Sequence, residues 1–423
     1  MAHRTMKSSY DKLVERLNRA PQGAPPSALL NRILSLLMSE NEAELVSLLP
    51  IKPFTARKAA RIWKIPEAAA RRHCEALASR ALLVDVERHG TMVYVLPPPM
   101  AGFFEFALMR VRYDIDQKLL SELFYQYLNV EEDFVRDLFT DGETRLGRVF
   151  VQEPVLTSDL AVHVLDYERA SEVIETASHI GVGLCYCRHK KEHLGEACSM
   201  PMDICMTFNS AAESLTRHGH GRAIEAAECH DLLDQAYELG LVQFGENVQK
   251  RVSFICNCCG CCCEALLAHK RFTHLHPVHT SNWIPAIDTE SCNGCGKCVK
   301  ACPVDALSLP PEPRRRPAAA ILDTDACLGC GVCVRACSRD ALKLEARAAR
   351  VITPLNNAHR YVLMATQRGK LQDLIFDNRV LASHRALAAL LGAVLKLPGV
   401  TQALARRQLK SRYLENMAAK LDH

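Results

Sequence analysis

The sequence predicts a multidomain α+β protein that is mostly helical. A chain of 423 residues is too long for one core, because domains usually run to about 100–200 residues. Apolar residues recur at helical spacing over much of the chain, whereas the clearest strand pattern is one short hairpin. Cysteine is concentrated in one region: of the 20 cysteines, all but Cys74 lie between Cys185 and Cys337.

The bulk composition is that of an ordinary soluble protein. The hydrophobic fraction is 48%, the charged fraction 24% and the net charge +4, which does not point to a nucleic-acid or membrane protein. The chain begins MAHRTMKSSYDKLVERLNRA, without the apolar segment of a signal peptide. The most apolar stretch, 386–397, is shorter than the about 20 residues of a membrane span. We therefore expect a cytoplasmic protein whose cysteines bind metal rather than form disulfides.

Residues 1–26 are predicted to form a flexible arm. They end in a linker rich in proline and glycine, PQGAPPS, which is typical of a mobile connection. A short amphipathic helix is expected within the arm at residues 10–17, with an apolar face that could dock on another part of the chain.

Residues 27–99 read as three helices followed by a hairpin. Thr55 is placed to cap one helix, and Pro66 to open the next, as these residue types commonly do. Two apolar runs flank the turn Arg88-His89-Gly90, and Cys74 falls on the apolar face of its helix and reads as a core residue. This order of elements resembles a winged helix.

A winged helix could bind DNA, but its charge here argues for another use. Residues 55–89 hold a modest excess of Lys and Arg, and the turn of the hairpin offers only Arg88. Phosphate contacts dominate DNA affinity. We therefore favour a packing role or a protein partner over DNA for this unit, and DNA stays an alternative.

Residues 100–283 are predicted to form a helical, cysteine-rich domain, and residues 349–423 a helical C-terminal region. Helical periodicity is clearest at 118–128, 166–178 and 211–239 in the first region. In the second it is clearest around Leu371, Leu374 and Ile375 and again at 386–397.

An internal repeat lies between these regions, at residues 284–348. The segments CNGCGKCVKACPVDAL and CLGCGVCVRACSRDAL both follow the spacing C-x2-C-x2-C-x3-C. Three cysteines so close together wrap one iron–sulfur cluster, and the fourth leads to a neighbouring cluster. The glycines between them let the backbone turn tightly and direct N–H groups at sulfur.

The repeat resembles bacterial ferredoxins with two [4Fe–4S] clusters. The expected ligand assignment is crossed between the copies. The first cluster is assigned to Cys292, Cys295, Cys298 and Cys337, and the second to Cys327, Cys330, Cys333 and Cys302. Ser338 replaces the proline that follows the fourth cysteine in the first copy, and it touches no ligand. The loop between the copies contains PPEP and RRR at 310–316; it reads as a solvated loop or as a docking patch for an acidic redox partner.

Ten cysteines group in two upstream segments, 185–205 and 256–263, and match no zinc-finger spacing. Several could be buried core residues, but six within eight positions make a poor core, so we predict a third metal or iron–sulfur site. The candidate ligands are Cys185, Cys187, Cys198, Cys205, Cys256, Cys258, Cys259, Cys261, Cys262 and Cys263.

The nearby histidines are weaker candidates for metal binding. His189 and His193 read as structural or surface residues, and the run His274, His276 and His279 reads as a strand or an extended linker. We do not include any of the five among the expected ligands.

The segments CYCRHKKEHLGEACSMPMDICMTF and CNCCGCCCEAL, together with the repeat, resemble a family of bacterial 4Fe–4S binding proteins. In that family a winged-helix-like N-terminus precedes a cysteine-rich middle and a two-cluster module. The resemblance implies the architecture and iron–sulfur binding, and names no substrate.

Three functions are compatible with these features. The first is single-electron transfer as a redox partner or subunit, with a protein donor or acceptor. The second is a reductase whose upstream cysteine site does the chemistry. The third is a redox-sensing transcription regulator. No nucleotide, flavin or hydrolase motif is found in the sequence.

Overall fold

The computed structural model describes residues 7–161, 163–311, 319–377 and 381–395. Helices and strands are both present, as the predicted α+β class requires. The arginines of the loop between the two motif copies and the chain beyond residue 395 lie outside the described residues.

The N-terminal unit is a group of helices followed by a hairpin. Its helices are α1 (Ser9–Arg19), α2 (Ala28–Leu37), α3 (Glu40–Ser47), α4 (Ala56–Trp63) and α5 (Glu67–Ala78). Its strands β1 (Phe54–Thr55), β2 (Val84–Arg88) and β3 (Thr91–Val95) form one sheet in the order β1-β3-β2. Thr55 caps α4 by accepting a hydrogen bond from the Lys58 N–H. Pro66 stands one position before α5. The winged-helix assignment itself stays a prediction.

The predicted flexible arm is wrong over its described part, residues 7–26. Helix α1 carries Leu13, Val14 and Leu17 on one face, and all three are almost fully buried in the main core. The buried Arg16 donates hydrogen bonds to the carbonyl oxygens of Leu49 and Pro50. The arm is held because its apolar face has a partner in the packed helices, which the sequence of the arm alone does not reveal.

The middle region is built on a sheet that the sequence analysis did not predict. Its helices are α6 (Phe104–Phe106), α7 (Gln117–Tyr125), α8 (Glu132–Thr140), α9 (Ser158–Ala161), α10 (Ala170–Glu175), α11 (Tyr186–His193), α12 (Asn209–Arg217), α13 (Ala226–Glu238) and α14 (Glu264–Arg271). Its strands are β4 (Gly147–Val149), β5 (Ile180–Gly183), β6 (Cys205–Phe208), β7 (Arg222–Ala223), β8 (Val242–Glu246) and β9 (Phe254–Cys258). They form one antiparallel sheet in the order β4-β8-β9-β6-β5-β7.

The middle domain, predicted to be helical and cysteine-rich, therefore consists of helices around a six-stranded sheet. Strands β5, β6 and β8 are buried along their whole length. A strand that is buried on both faces shows a continuous run of small or apolar residues instead of alternation. Strand β7 also interrupts the helix expected at 211–239, which becomes α12 and α13.

The repeat forms a small unit closed by its own ends. Strand β10 (Trp283–Ile287) pairs antiparallel with β13 (Leu342–Ala346) and joins the start of the repeat to its end. Between them lie α15 (Lys297–Ala301), β11 (Leu307–Ser308), β12 (Ile321–Leu322) and α16 (Val332–Arg335), and β11 pairs with β12. The described tail is helical, as predicted: α17 (Asn357–Gln367), α18 (Leu371–Ile375) and α19 (Ala382–Leu395).

One continuous core links these parts. It runs from α1 and α2 through Cys258 and Cys263 of the middle region to Cys327 and Cys330 of the repeat. A buried polar contact adds to it where the hairpin meets α12: the Ser214 hydroxyl donates to Asp85 over 2.7 Å. None of the helices in the described ranges is long and apolar enough to cross a membrane.

Candidate iron–sulfur and metal centres

The two copies of the cysteine motif place their glycines in left-handed backbone conformations. Gly296 and Gly331 precede α15 and α16 with φ of 73° and 92°, and Gly329 has a φ of 70°. A Cβ on Gly329 would lie 2.0 Å from the carbonyl oxygen of Trp283. Only glycine fits this close approach, so the turn that carries Cys327 and Cys330 is fixed by its contact with β10.

The first cysteine set consists of the four residues assigned to the first cluster. All four line one cavity: Cys292, Cys295, Cys298 and Cys337. Cys337 comes from the second copy of the motif, so the fold brings the two copies together here. Cys295 is exposed, and Lys297 and Arg339, both exposed, line the same cavity. The first set therefore opens to a positively charged surface.

The second cysteine set consists of Cys302, Cys327, Cys330 and Cys333. The last three are buried, and Cys302 is half-buried. Burial, together with the nearby thiols of Cys327 and Cys302, raises the pKa of Cys330 to about 12. The Ala306 N–H donates to the Cys302 sulfur over 3.2 Å, the kind of contact that stabilises a thiolate ligand.

The ten upstream cysteines, treated above as one candidate site, separate into two groups. Six of them form a group around the end of the central sheet: Cys185, Cys187, Cys205, Cys256, Cys258 and Cys263. Strand β9 places Cys256 and Cys258 on one face, because alternate residues of a strand point the same way. Cys205 begins β6, next to Cys256 in the register that pairs Met206 with Ile255. Cys185 and Cys263 stand directly before α11 and α14.

These six thiols form a closed ring, which we call the six-cysteine ring. Each contacts two others, in the order Cys185–Cys187–Cys263–Cys258–Cys256–Cys205 and back to Cys185. Hydrogen bonds from the neighbours lower the pKa of Cys256 to about 5 and that of Cys263 to about 6, and they lower the pKa of Cys185 as well. The pKa values of the three thiols that donate these hydrogen bonds, Cys187, Cys205 and Cys258, are raised. The ring can therefore present several thiolates at neutral pH.

A cavity of about 120 Å³ lies against the ring, and all six thiols line it. Arg188 and Glu105 share this lining. Arg188 is buried and donates to the carbonyl oxygens of Pro201 (2.9 Å) and Asn257 (2.8 Å). Burial opposes its charge, but the adjoining thiolates raise its pKa above the usual value. A cation beside several thiolates is suited to an anionic metal–thiolate centre.

A buried ion pair holds the two helices that carry part of the ring. Lys190 of α11 contacts Glu264 of α14, and both side chains are almost fully buried. Lys190 also donates to Asn129 over 2.7 Å. Because Cys187 and Cys263 belong to or adjoin these helices, the pair fixes the spacing between their thiols.

The other four upstream cysteines form a separate group, which we call the four-cysteine set. Their sulfur atoms all lie within 4.8 Å of one another: Cys198, Cys259, Cys261 and Cys262. Three of these distances are 3.6 Å (Cys198–Cys259), 3.7 Å (Cys261–Cys262) and 3.8 Å (Cys198–Cys262). A hydrogen bond from Cys262 lowers the pKa of Cys259 to about 4.

The turn that carries the four-cysteine set touches the repeat. A Cβ on Gly260 would lie 2.1 Å from the carbonyl oxygen of Pro303, and Pro303 follows Cys302 of the second cysteine set. Backbone therefore packs on backbone at this point. The upstream cysteines and the repeat form one continuous region of the protein.

The remaining cysteines and histidines are built into the fold. Cys74 is fully buried in the main core, and Cys229 is buried in a second core cluster. His189 is buried, with its Nδ1 within 2.7 Å of the Leu108 carbonyl oxygen, and its ring lies 4.7 Å from that of His193. Within the described residues, the only metal-compatible group of three or more Cys, His, Asp or Glu ligand atoms that lie within 4.8 Å of one another is the four-cysteine set.

Sequence reasoning missed Glu105, Arg188 and Lys190 as parts of this region. Arg188 stands directly after Cys187 and Lys190 three positions after it, and this proximity in the chain was an available signal. Glu105 lies about eighty residues upstream of the nearest cysteine of the ring, and no local pattern connects it to that ring.

Comparison with known proteins supports the repeat as an iron–sulfur module. Residues 291–341 match the family model described as the 4Fe-4S dicluster domain. The comparisons with curated proteins and with solved structures give no match. The chain therefore contains an iron–sulfur binding domain, and the cysteine geometry outside it defines candidate sites only.

Proposed function

We propose that this protein transfers single electrons through two [4Fe–4S] clusters to a cofactor held by the six-cysteine ring. The observation that carries the proposal is the opposite placement of the two cysteine sets. The first set reaches the surface at Cys295, whereas Cys327 and Cys330 of the second set are buried in the core that also contains Cys258 and Cys263. An electron that enters at the surface is thereby led inward.

The arrangement of the repeat supports the crossed ligand assignment. Cys337 shares a cavity with the three cysteines of the first motif, and the charge of Cys302 acts on Cys330 and Cys333 of the second. A cubane cluster needs four thiolates in such a group. Each set supplies four.

The six-cysteine ring fits a further metal cofactor. Its thiols share one cavity, several are poised as thiolates, and Arg188 supplies positive charge beside them. Six thiols exceed the four ligands of one cubane. A bound cofactor there would supply the electron-accepting chemistry, and the chain would supply the thiolates, the cation and the enclosure.

The donor is proposed to be a protein that docks at the first cysteine set. Lys297 and Arg339 line the same cavity as the exposed Cys295, and complementary charge steers encounters between redox partners. An acidic surface on the partner fits this site.

The proposal is tested by metal analysis of anaerobically purified protein. We expect about eight irons and eight sulfides from the repeat, with additional iron from the ring. Cys295→Ala should remove one cluster and one step of an EPR-monitored reduction titration. Cys256→Ala should remove only the additional iron, and Cys74→Ala, a change in the core, should remove none.

Two results would contradict parts of this proposal. Unchanged iron in Cys295→Ala would overturn the ligand assignment. A wild-type protein with only the iron of two cubanes would remove the cofactor of the ring and leave a simple two-cluster carrier.

A second candidate function is a reductase that acts at the six-cysteine ring. The cavity and the carboxyl of Glu105 beside it favour this function, because a reduction needs room for a substrate and a nearby proton carrier. Binding of cyanide or carbon monoxide to the reduced protein, followed by EPR, tests for an open coordination position. An unchanged spectrum would favour the carrier.

The regulator alternative receives no comparable support. The hairpin strand β2 packs on α12 through Asp85, which accepts a hydrogen bond from the Ser214 hydroxyl and lies 3.0 Å from the His218 ring nitrogen. One strand of the hairpin that would touch DNA is thus engaged with the middle region.

A further inference from the structure

The four-cysteine set joins two segments that have little regular structure of their own. Cys198 lies in the irregular segment between α11 and β6, and the other three lie in the turn between β9 and α14. Cys261 is exposed, Cys198 and Cys259 are half-buried, and Cys262 is buried. Cys259 and Cys262 also line the cavity of the six-cysteine ring, so the set lies between that cavity and the surface.

The spacing of the sulfur atoms identifies the kind of centre. Four thiolates at the usual zinc–sulfur distance of about 2.3 Å form a tetrahedron whose edges measure about 3.8 Å. The observed separations of 3.6, 3.7 and 3.8 Å match these edges. A cubane spreads its thiolates further apart, because each binds a different iron atom.

The repeat provides an internal comparison for this argument. Among the described residues, the eight cysteines assigned to the two clusters contain no group of three sulfur atoms within 4.8 Å of one another. The same holds for the six-cysteine ring, where each thiol touches only its two neighbours. The compact tetrahedral group is thus particular to the four-cysteine set.

We propose that Cys198, Cys259, Cys261 and Cys262 bind one zinc ion. Four thiolates without an open position form a closed structural site, and tetrahedral sulfur coordination favours zinc among the available divalent metals. This site goes beyond the proposed electron transfer, because zinc carries no electrons.

The zinc ion would fix two contacts that matter for the neighbouring centres. The segment held by Cys198 includes Met202, whose carbonyl oxygen accepts a hydrogen bond from the Cys185 N–H over 2.6 Å. The turn held by Cys259 and Cys261 includes Gly260, which packs on Pro303. One ion would thus stabilise both the six-cysteine ring and the contact of the Gly260 turn with the repeat.

The experiment measures zinc, iron and sulfide in the full-length chain, purified anaerobically, and in two variants. Wild-type protein should contain one zinc per chain. Cys261→Ala removes the most exposed ligand and should lower zinc to background while iron and sulfide stay unchanged. Cys295→Ala, the matched control in the repeat, should lower iron and sulfide and leave zinc unchanged.

Each alternative outcome overturns the zinc site without touching the electron-transfer proposal. Loss of iron together with sulfide in Cys261→Ala would show a cluster, and loss of iron alone would show a mononuclear iron site. Unchanged metal content would show that the four thiols bind nothing.

A second measurement uses the wild-type protein, so its result does not depend on whether a variant folds. Zinc-edge X-ray absorption of the wild-type protein should give four sulfur ligands at about 2.3 Å. A shell with nitrogen or oxygen ligands would overturn the assignment.

Discussion

The two copies of the cysteine motif have nearly the same sequence and very different surroundings. The first copy exposes Cys295 and half-buries Cys292, whereas Cys327, Cys330 and Cys333 of the second are all buried. The second copy also contacts β10 through Gly329 and the segment before α9 through Gly331, where a Cβ would lie 2.7 Å from Val155. The corresponding Gly296 meets only Leu309, at 3.4 Å.

Under the proposed ligand assignment, the motif would specify the cluster and the packing would specify its use. Solvent exposure and hydrogen bonds to sulfur tune the potential of a cluster. Two similar cysteine loops can therefore hold one cluster near the surface and one buried cluster. Substitutions in the two copies test this distinction.

The largest expected effect comes from removing one ligand in each copy. Cys295→Ala and Cys330→Ala should each lose the iron of one cubane. In Cys295→Ala the remaining cluster is the buried one, so we expect its reduction by a protein donor to slow by at least tenfold. In Cys330→Ala the outer cluster should still be reduced at the wild-type rate. Stopped-flow absorbance measures both rates.

Equal rates in the two ligand variants would contradict the inward path. A small, uncharged chemical reductant serves as the control, because it depends less on docking. With this reductant the difference between the variants should shrink.

A smaller effect is expected from glycines with similar backbone angles. Gly296→Ala, at φ 73°, should cost about 1–2 kcal/mol, because alanine resists the left-handed region. Gly329→Ala, at φ 70°, should cost about 1–3 kcal/mol more, because its Cβ meets the Trp283 backbone and not a flexible side chain. The thermal midpoint of the cluster-loaded protein measures the difference. Equal shifts would mean that the second copy is no more tightly packed than the first.

The smallest effect is expected from an ion pair specific to the second copy. Arg335 of α16 contacts Glu238, which is 75% exposed. Exposed pairs contribute about 0–1 kcal/mol, so Arg335→Gln should lower the thermal midpoint slightly, and added salt should erase the difference. Lys300→Gln, at the corresponding position of the first copy, is the control and should change nothing measurable. A salt-independent loss would point to packing of the Arg335 side chain instead.

The sequence was sufficient to predict an iron–sulfur module in the repeat, because the motif cysteines lie close together along the chain. Three of the four cysteines in each copy lie within seven consecutive residues, and that spacing alone encodes the loop around a cluster. The helices of the N-terminal unit were also predictable, because Thr55 and the apolar periodicity are local signals.

The sequence alone could not divide the ten upstream cysteines into two candidate sites, because that division depends on strand register. Cys205 and Cys256 meet only because β6 pairs with β9, and the short buried strands give no alternating pattern that would predict this pairing. The pair Cys256–Cys258, two residues apart, was a usable hint that one face of a strand carries two thiols. The docking of the N-terminal arm was equally non-local.

The continuous core determines how the repeat would behave as an isolated fragment. Its boundary in the sequence, near residue 284, is not a boundary in the packing, because Cys327, Leu328, Cys330 and Val332 belong to the same core as the N-terminal helices. A fragment cut at that boundary would turn this interior into an apolar surface and invite aggregation. The unit is ferredoxin-like in its ligands, but it is a fixed component of the larger protein and would make a poor free-standing carrier.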